Sequence, residues 1–163
     1  STYSYNKVLV FNLGFDRKGP EGVHWMYFPS PEQVFYRVGF YDNIFNTDRL
    51  SIYIEIGYPG DAEVSDEDAE RMLERSLHDL RATGVITDHE LVARHSIVLD
   101  PAYVHITKES NADVQAKKRM LGHRGVHSIG RYGSWTYCSI EDNIVEARQL
   151  ATSFNALNSM ANG

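Results

Sequence analysis

Apolar and polar residues alternate in several stretches of the first third of the chain: 7–15, 23–29, 33–41 and 50–58. These stretches are rich in β-branched and aromatic residues, and a period of two predicts β-strands. The residues between them include DRKGPEG at 16–22 and DNIFNTD at 42–48, which are typical of turns. We therefore predict an antiparallel sheet in which 23–29 returns alongside 7–15.

The pattern changes to a helical period between 65 and 83. Ser65 is suited to cap the first turn, with Asp68 three residues later as the acid of a capping box, and Gly84 is suited to end the helix. The apolar residues fall on one stripe, which predicts an amphipathic helix lying on the sheet. That stripe consists of Met72, Leu73, Leu77 and Leu80.

The rest of the chain is predicted to contain further strands and two more helices. ELVARHSIVL (90–99) and AYVHIT (102–107) are expected to be strands separated at Asp100-Pro101, because the residue before a proline resists the helical conformation. A helix is predicted from about 112 to 121, followed by a short strand in GVHSIG. Ser139 is expected to cap a final helix. The apolar face of that helix consists of Ile140, Ile144, Ala147, Leu150 and Ala151.

These elements predict an α+β fold, with one mainly antiparallel sheet and about three flanking helices. Residues 1–107 would hold the sheet with the helix 65–83, and 108–163 would form a return segment and the C-terminal helix. With 163 residues, 42% of them hydrophobic, the chain is long enough to bury a core as a single compact unit.

Charge and cysteine content narrow the functional classes. A formal net charge of -6 argues against general nucleic-acid binding, which depends on a basic face. The basic run KKR at 117–119 is interpreted as the solvated side of a helix. No run approaches the roughly 18 apolar residues that predict a membrane helix. The single cysteine, Cys138, cannot form an intrachain disulfide, which fits a reducing compartment and predicts a cytoplasmic location.

Metal and hydrolase sites are not indicated by residue spacing. His89 and His95 lie six apart in a predicted strand, whereas the zinc-protease pattern needs two histidines four apart on a helix. His123 and His127 have that spacing, but Gly125 lies between them at a predicted element boundary. No nucleophile with a recognisable base is found, and Cys138 is interpreted as inert. We predict no metal and assign no catalytic residue.

The segment GRYGSWTYCSIEDNI, residues 130–144, carries the most specialised residues. A glycine-containing turn before a helix can direct backbone amides at an anion, and Arg131 offers a forked, permanently charged donor. In an extended segment Trp135 and Tyr137 would point to one side. A purely structural interpretation, with the aromatic rings in a core and Arg131 in a surface ion pair, stays open at this point.

GRYGSWTYCSIEDNIVEA resembles the C-terminal flavin-contacting motif of the superfamily of FAD-dependent amine oxidases, protoporphyrinogen oxidases and UDP-galactopyranose mutases. The chain has Ser139-Ile140 where mutase-like members have an acidic residue and methionine. Four earlier stretches are similar to the substrate domain of such proteins: NLGFDR, HWMYFP, FYRVGFYDN and DPAYVHI. The resemblance implies a strand-turn-helix flavin-contact segment, and a chain that is the C-terminal piece of a protein whose N-terminal Rossmann FAD domain is missing here.

The resemblance also implies roles for individual residues. Arg131 and Tyr137 would bind a substrate phosphate. Arg37 and Tyr27 are further candidates for substrate contacts, with an ion pair to a neighbouring strand and a packed ring as equally acceptable interpretations. The residues expected to contact the cofactor are Gly130, Arg131, Trp135, Ser139, Ile140 and Asn143.

The chain is expected to be the C-terminal substrate-binding region of an FAD-dependent oxidoreductase or mutase that resembles the amine oxidases. The substrate of the whole enzyme would be a small molecule, such as a nucleotide sugar in polysaccharide biosynthesis. Alone, the chain is expected to be inactive, not to retain FAD, and to self-associate through faces that the flavin domain would cover. The alternative is a stand-alone ligand-binding or protein-interaction module without catalysis.

Overall fold

The computed structural model describes residues 2–161, with side chains up to residue 156. Within these described residues, five strands and five helices follow one another. In order, they are β1 (Tyr5–Phe15), β2 (Trp25–Tyr27), β3 (Arg37–Phe40), α1 (Tyr41–Phe45), β4 (Ser51–Pro59), α2 (Asp66–Ala82), β5 (Leu91–Val104), α3 (Lys108–Gly122), α4 (Gly130–Gly133) and α5 (Ile140–Ala161). The predicted α+β class is confirmed, and α2, α3 and α5 are the three predicted helices.

The strands form one sheet in the order β2-β3-β4-β1-β5. β1 pairs antiparallel with β4, from Asn6 opposite Pro59 to Gly14 opposite Ser51. The predicted return of 23–29 alongside 7–15 is therefore wrong, since β2 pairs with β3 instead. A three-residue strand could cover only a fraction of the apolar face of β1, whereas β4 matches its length and pattern.

Burial of apolar side chains explains the β1–β4 pairing. Alternate residues of both strands point to the same face of the sheet, and they meet as Leu9 with Ile56, Phe11 with Ile54 and Leu13 with Ile52. All of these side chains are buried in one core cluster, to which α2 contributes Leu73 and Leu80. The predicted packing of an amphipathic helix on the sheet is thus confirmed.

The ends of α2 follow the local signals in the sequence. The Ser65 hydroxyl accepts a hydrogen bond from the Asp68 backbone N–H, and the Asp68 carboxylate accepts one from the Ser65 N–H, which completes a capping box. Gly84 follows the helix with φ of +74°, the left-handed conformation that glycine adopts without steric cost.

Two predicted strands are shorter than expected, and one predicted turn contains a helix. β2 ends at Tyr27 because Pro29 and Pro31 follow and have no N–H to donate to a ladder. The stretch DNIFNTD, predicted as a turn, begins inside α1, and Asn46 follows this helix with φ of +52°. Asp42 of α1 is buried and forms an ion pair with Lys18 at 2.8 Å.

The strand break predicted at Asp100-Pro101 is not found, because β5 runs continuously from Leu91 to Val104. Proline favours an extended residue before it. Its missing N–H is tolerated on an edge strand, and β5 lies at the edge of the sheet, next to β1.

α3 begins four residues before its predicted start at 112. Thr107 caps it by accepting a hydrogen bond from the Ser110 N–H, and the Ser110 hydroxyl accepts one from the Thr107 N–H. A serine at the third helical position is a weaker sequence signal than the usual Glu or Gln. The early start was missed for that reason.

The strand predicted at 125–130 is absent, and the chain enters the final helix through α4 and a turn. The turn-to-helix part of the predicted flavin-contact segment is present, without the strand. α5 begins at Ile140, directly after the predicted cap Ser139. Within the described side chains, the predicted apolar face of α5 is largely exposed.

The chain groups into two compact units. One is Asn6–Ala102, with the sheet core and α2, and the other runs from Tyr103 onward and includes the residues up to Tyr5. No helix within the described residues is both long and apolar enough to cross a membrane.

Candidate functional site

A cavity of about 500 Å³ lies at the start of α5. Its walls come from α4, from the turn that follows it and from the first turn of α5. It contains most of the residues that the family resemblance assigns to the cofactor: Gly130, Arg131, Ser139, Ile140 and Asn143. We call this space the α5 cavity.

Gly130 lines the α5 cavity, and its backbone conformation requires glycine. Its φ is +81°, and a Cβ at this position would lie 3.0 Å from the Asn143 Oδ1. A side chain would therefore be strained and would crowd the helix. The Gly130 N–H donates a 2.8 Å hydrogen bond to the Glu146 carboxylate of α5.

Glu146 ties three segments together. Besides Gly130, it accepts a hydrogen bond from the Ser134 hydroxyl at 3.3 Å, and it forms an ion pair with Lys118 of α3 at 3.5 Å. This role of Glu146 was not predicted, because its partners are separated from it by a turn whose shape the sequence does not reveal.

Arg131 lies next to two stacked tyrosine rings. Its guanidinium carbon is 5.7 Å from the Tyr103 ring centre and 5.6 Å from that of Tyr137. The two rings stack with centroids 5.9 Å apart. Arg131 also donates to the Cys138 carbonyl at 2.8 Å. This arrangement holds a permanent positive charge beside an exposed phenol. Tyr103 was not predicted, since only the fold brings it to Tyr137.

The first turn of α5 is fixed by a capping box, as are those of α2 and α3. The Ser139 N–H and hydroxyl both donate to the Asp142 carboxylate, at 2.7 and 2.8 Å, and the Asp142 N–H donates back to the Ser139 hydroxyl. These bonds from the backbone and hydroxyl of Ser139 hold the pKa of Asp142 below its ordinary value. Asn143 donates to the Ser139 carbonyl at 2.7 Å, which orients its amide.

Trp135 does not line the α5 cavity. Its φ of +47° marks a turn, so the extended conformation assumed for 135–137 is not found. The Trp135 ring packs edge-on against Tyr3, with centroids 4.9 Å apart. Its Nε1–H donates to the His105 carbonyl at 3.2 Å. Trp135 and Tyr137 consequently contact different groups.

Arg37 and Tyr27, the two other substrate candidates, lie side by side in the sheet unit. They are paired residues of β3 and β2, and the Arg37 guanidinium carbon is 5.9 Å from the Tyr27 ring centre. Arg37 forms an ion pair with Glu55, the residue opposite it on β4, and Glu55 also accepts from the Tyr36 hydroxyl. The ion pair with a strand neighbour is thus present.

Tyr53 completes this cluster. Its ring centre is 5.7 Å from the Arg37 guanidinium carbon, and burial raises the pKa of its hydroxyl. The ring lies over Gly39, where a Cβ would be 1.9 Å from a ring carbon. Neither Tyr53 nor Glu55 was predicted, although a glutamate inside an apolar strand was a signal, because buried acids are rare without a partner.

Known proteins match this chain in structure but not in sequence. No protein-family model matches the sequence, and no curated protein matches it. A crystal structure of reduced UDP-galactopyranose mutase matches with a TM-score of 0.67 and 21% identity, covering 82% of this chain and 29% of the mutase chain. The chain shares its fold with part of that protein.

A second solved structure has the same fold. It is a protein from Exiguobacterium sp. 255-15, provisionally assigned as a protoporphyrinogen oxidase, with a TM-score of 0.66 and 15% identity over 93% of this chain and 35% of its own. The chain therefore spans about a third of the length of either structure. The resemblance to mutases and oxidases inferred from the residues is confirmed at the level of the fold.

Proposed function

We propose that the chain is the substrate-binding and cofactor-contacting region of an FAD-dependent oxidoreductase or mutase. One observation carries this proposal. Five of the six residues assigned to the cofactor by resemblance line a single cavity, although they span a short helix, a turn and the start of α5.

The residues of the α5 cavity fit a flavin contact. Gly130 adds no side chain to the wall of this cavity. Arg131 offers a charge held at a fixed angle by the Cys138 carbonyl, and the first turn of α5 adds the positive end of a helix dipole. A bound flavin supplies the redox or adduct chemistry, and this chain orients the reactants.

The proposed substrate is a small anionic molecule, with a nucleotide sugar as the favoured class. Arg131 is suited to bind a phosphate through two parallel hydrogen bonds, and the neighbouring Tyr137 hydroxyl can donate another. In the sheet unit, Arg37 and Tyr27 form a second polar and aromatic cluster for substrate contact. Because Arg37 already pairs with Glu55, its proposed role is to orient the Tyr27 and Tyr53 rings.

The exposed apolar face of α5 is evidence that another protein surface covers it. Ile140 is 82% exposed and Ile144 is 64% exposed, and side chains of this type seldom form a continuous exposed stripe without a partner surface. We propose that a flavin-binding half of the protein covers this face. By itself the chain would then be inactive and would not retain FAD.

The test uses the protein encoded by the complete gene, together with the 163-residue chain. The complete protein is expected to purify with about one FAD per chain and to bind UDP-galactose, whereas the chain alone should be colourless. Arg131→Met should weaken UDP-galactose binding at least about tenfold, because charge-assisted hydrogen bonds are lost. Arg124→Met, an exposed arginine of the same unit, is the control.

Two outcomes would overturn the proposal. A complete protein that purifies without flavin and does not take up added FAD would not be a flavoprotein. A gene that encodes these residues alone would favour the stand-alone binding module.

A further inference from the structure

A second cavity, of about 300 Å³, lies between α3 and the segment 128–135. All of its lining residues belong to the compact unit that starts at Tyr103 and includes Tyr3. It shares only Tyr132 and Gly133 with the α5 cavity. We call it the α3 cavity. Of its lining residues, the family resemblance assigns a role only to Trp135.

The walls of the α3 cavity are aromatic and aliphatic. Tyr3 and Trp135 meet edge-on and form one wall, and Val114 and Leu121 of α3 form another. Small-molecule sites are typically of this kind, with apolar walls, a few placed polar groups and volumes of roughly 300–1,000 Å³. A volume at the lower end of this range suits a ligand of one or two rings.

The charged groups of the α3 cavity are both positive. Lys117 and Lys118 line it, and among the described residues no carboxylate does. The Lys117 ammonium lies 4.7 Å from the Tyr3 ring centre and pairs with Asp113, outside the lining, at 2.6 Å. An ammonium has three protons to donate. Lys117 uses two of them on Asp113 and on the Tyr3 hydroxyl, at 2.6 and 3.4 Å, and the third can bind a ligand. Because Lys118 is paired with Glu146, Lys117 is the group by which the cavity favours an anion.

Tyr3 contributes its ring to the wall while its hydroxyl is engaged elsewhere. The hydroxyl donates to the Asp113 carboxylate at 2.6 Å. This bond raises the pKa of Tyr3, so that the phenol stays neutral. The ring face is thereby fixed beside Lys117 without adding a negative charge to the cavity.

Trp135 occupies a backbone conformation that its residue type disfavours. A φ of +47° places a bulky side chain in the left-handed region, where glycine would be the unstrained choice. Backbone strain of this kind concentrates at binding sites, where a particular side chain is required. Here the side chain is the indole ring that walls the α3 cavity and is anchored by its Nε1–H to the His105 carbonyl.

We propose that the α3 cavity binds a small planar aromatic carboxylate. The ring of the ligand lies between the aromatic wall and the aliphatic residues of α3, and its carboxylate accepts hydrogen bonds from Lys117. This site adjoins the α5 cavity through Tyr132 and Gly133, but the proposal does not depend on the proposed flavin contact.

The test measures binding of 2-naphthoate to the 163-residue chain by calorimetry and saturation-transfer NMR, without flavin. The expected dissociation constant is about 1 mM or lower for a ligand of this size. The neutral analogue 2-naphthalenemethanol should bind at least about tenfold more weakly, since it cannot form a charge-assisted bond.

Variants of α3 separate the two parts of the site. Lys117→Met should weaken naphthoate binding at least about tenfold, whereas Lys108→Met, at an exposed lysine of the same helix, should leave it unchanged. Leu121→Trp should fill the cavity and abolish binding, with an unchanged thermal midpoint as evidence that it folds. If Leu121→Trp fails to fold, the difference in naphthoate affinity between Lys117→Met and Lys108→Met tests the proposal.

Three results would overturn the proposal. They are no binding of naphthoate to the unaltered chain, equal affinity for the acid and the alcohol, and equal affinity of the Lys117→Met and Lys108→Met variants for naphthoate.

Discussion

Gly39 shows how one missing side chain arranges several others. The Tyr53 ring occupies the space above Gly39 on the neighbouring strand, and from there it faces the Arg37 guanidinium. Glycine weakens a strand by its conformational freedom. Here that cost is offset by the aromatic ring that fills its place.

Gly39→Ala is expected to destabilise the fold by about 1–3 kcal/mol, because a Cβ 1.9 Å from the Tyr53 ring forces the ring out of position. Gly57→Ala on β4 is the matched control, since its Cβ would meet its nearest atom, on Tyr36, at 3.8 Å. Urea unfolding of the two variants checks this. Equal losses of stability would contradict the steric explanation.

Single residues were predictable where their chemistry is visible without the fold. Arg131 and Gly130 stood out in a glycine-rich segment, and both line the α5 cavity. Their partners Glu146 and Tyr103 could not be recognised, because each is brought into contact by a turn or a strand end. Trp135 was assigned to the wrong conformation, since the positive φ of a tryptophan has no sequence signal.

At the scale of the element, α2 carries an internal polar anchor. Asp79 is buried and accepts hydrogen bonds from the Val34 N–H at 2.9 Å and from Arg75 at 3.1 Å. Burial by itself would raise its pKa, but the bonds from Val34, His78 and Arg75 outweigh it and lower the pKa. The anchor thus fixes the loop before β3 to the helix.

Asp79→Asn is expected to cost roughly 1–3 kcal/mol at neutral pH, since a buried charge-assisted network is weakened. A carboxyl with a lowered folded-state pKa stabilises the protein above its unfolded pKa of about 3.9. That contribution is lost as the pH falls through the lower folded value. The stability difference between parent and variant should therefore shrink below about pH 4.

Unfolding midpoints at neutral and acidic pH check this, with Glu74→Gln, at an exposed acid of the same helix, as the control. A difference between parent and Asp79→Asn that stays constant down to pH 2 would refute the assigned role of the charge.

Elements with local signals were predicted well, and those that depend on pairing were not. The predicted bounds of α2 were right to within a residue, because Ser65 and the apolar stripe are local signals. The start of α5 was right because Ser139 is a local signal too. The pairing of β1 with β4 depends on matching the apolar faces of two strands that are far apart in the chain, which periodicity does not reveal. The continuity of β5 through Pro101 depends on its position at the sheet edge.

At the scale of the whole molecule, α5 leaves an apolar face exposed. Among the large apolar side chains described in α5, Ile140 and Ile144 are the most exposed, and Phe154 is 40% exposed.

The 163-residue chain is expected to self-associate with rising concentration, because two such apolar faces can cover each other. Ile144→Glu should keep it monomeric, while Gln149→Glu, which adds the same charge on the same helix, should not. Sedimentation velocity over a hundredfold concentration range measures this. A parent chain that stays monomeric throughout, or equal behaviour of both variants, would argue against the assignment of this face.

The contacts of Glu146 set a limit on how the chain can vary in length. Loops between helices usually accept insertions, because their backbone makes few contacts that depend on residue count. Here one carboxylate of α5 is bound by Lys118, Gly130 and Ser134. An insertion or deletion between 118 and 146 would therefore move at least one of these groups away from Glu146. Homologous chains should therefore keep a constant length from 118 to 146 and place their insertions elsewhere.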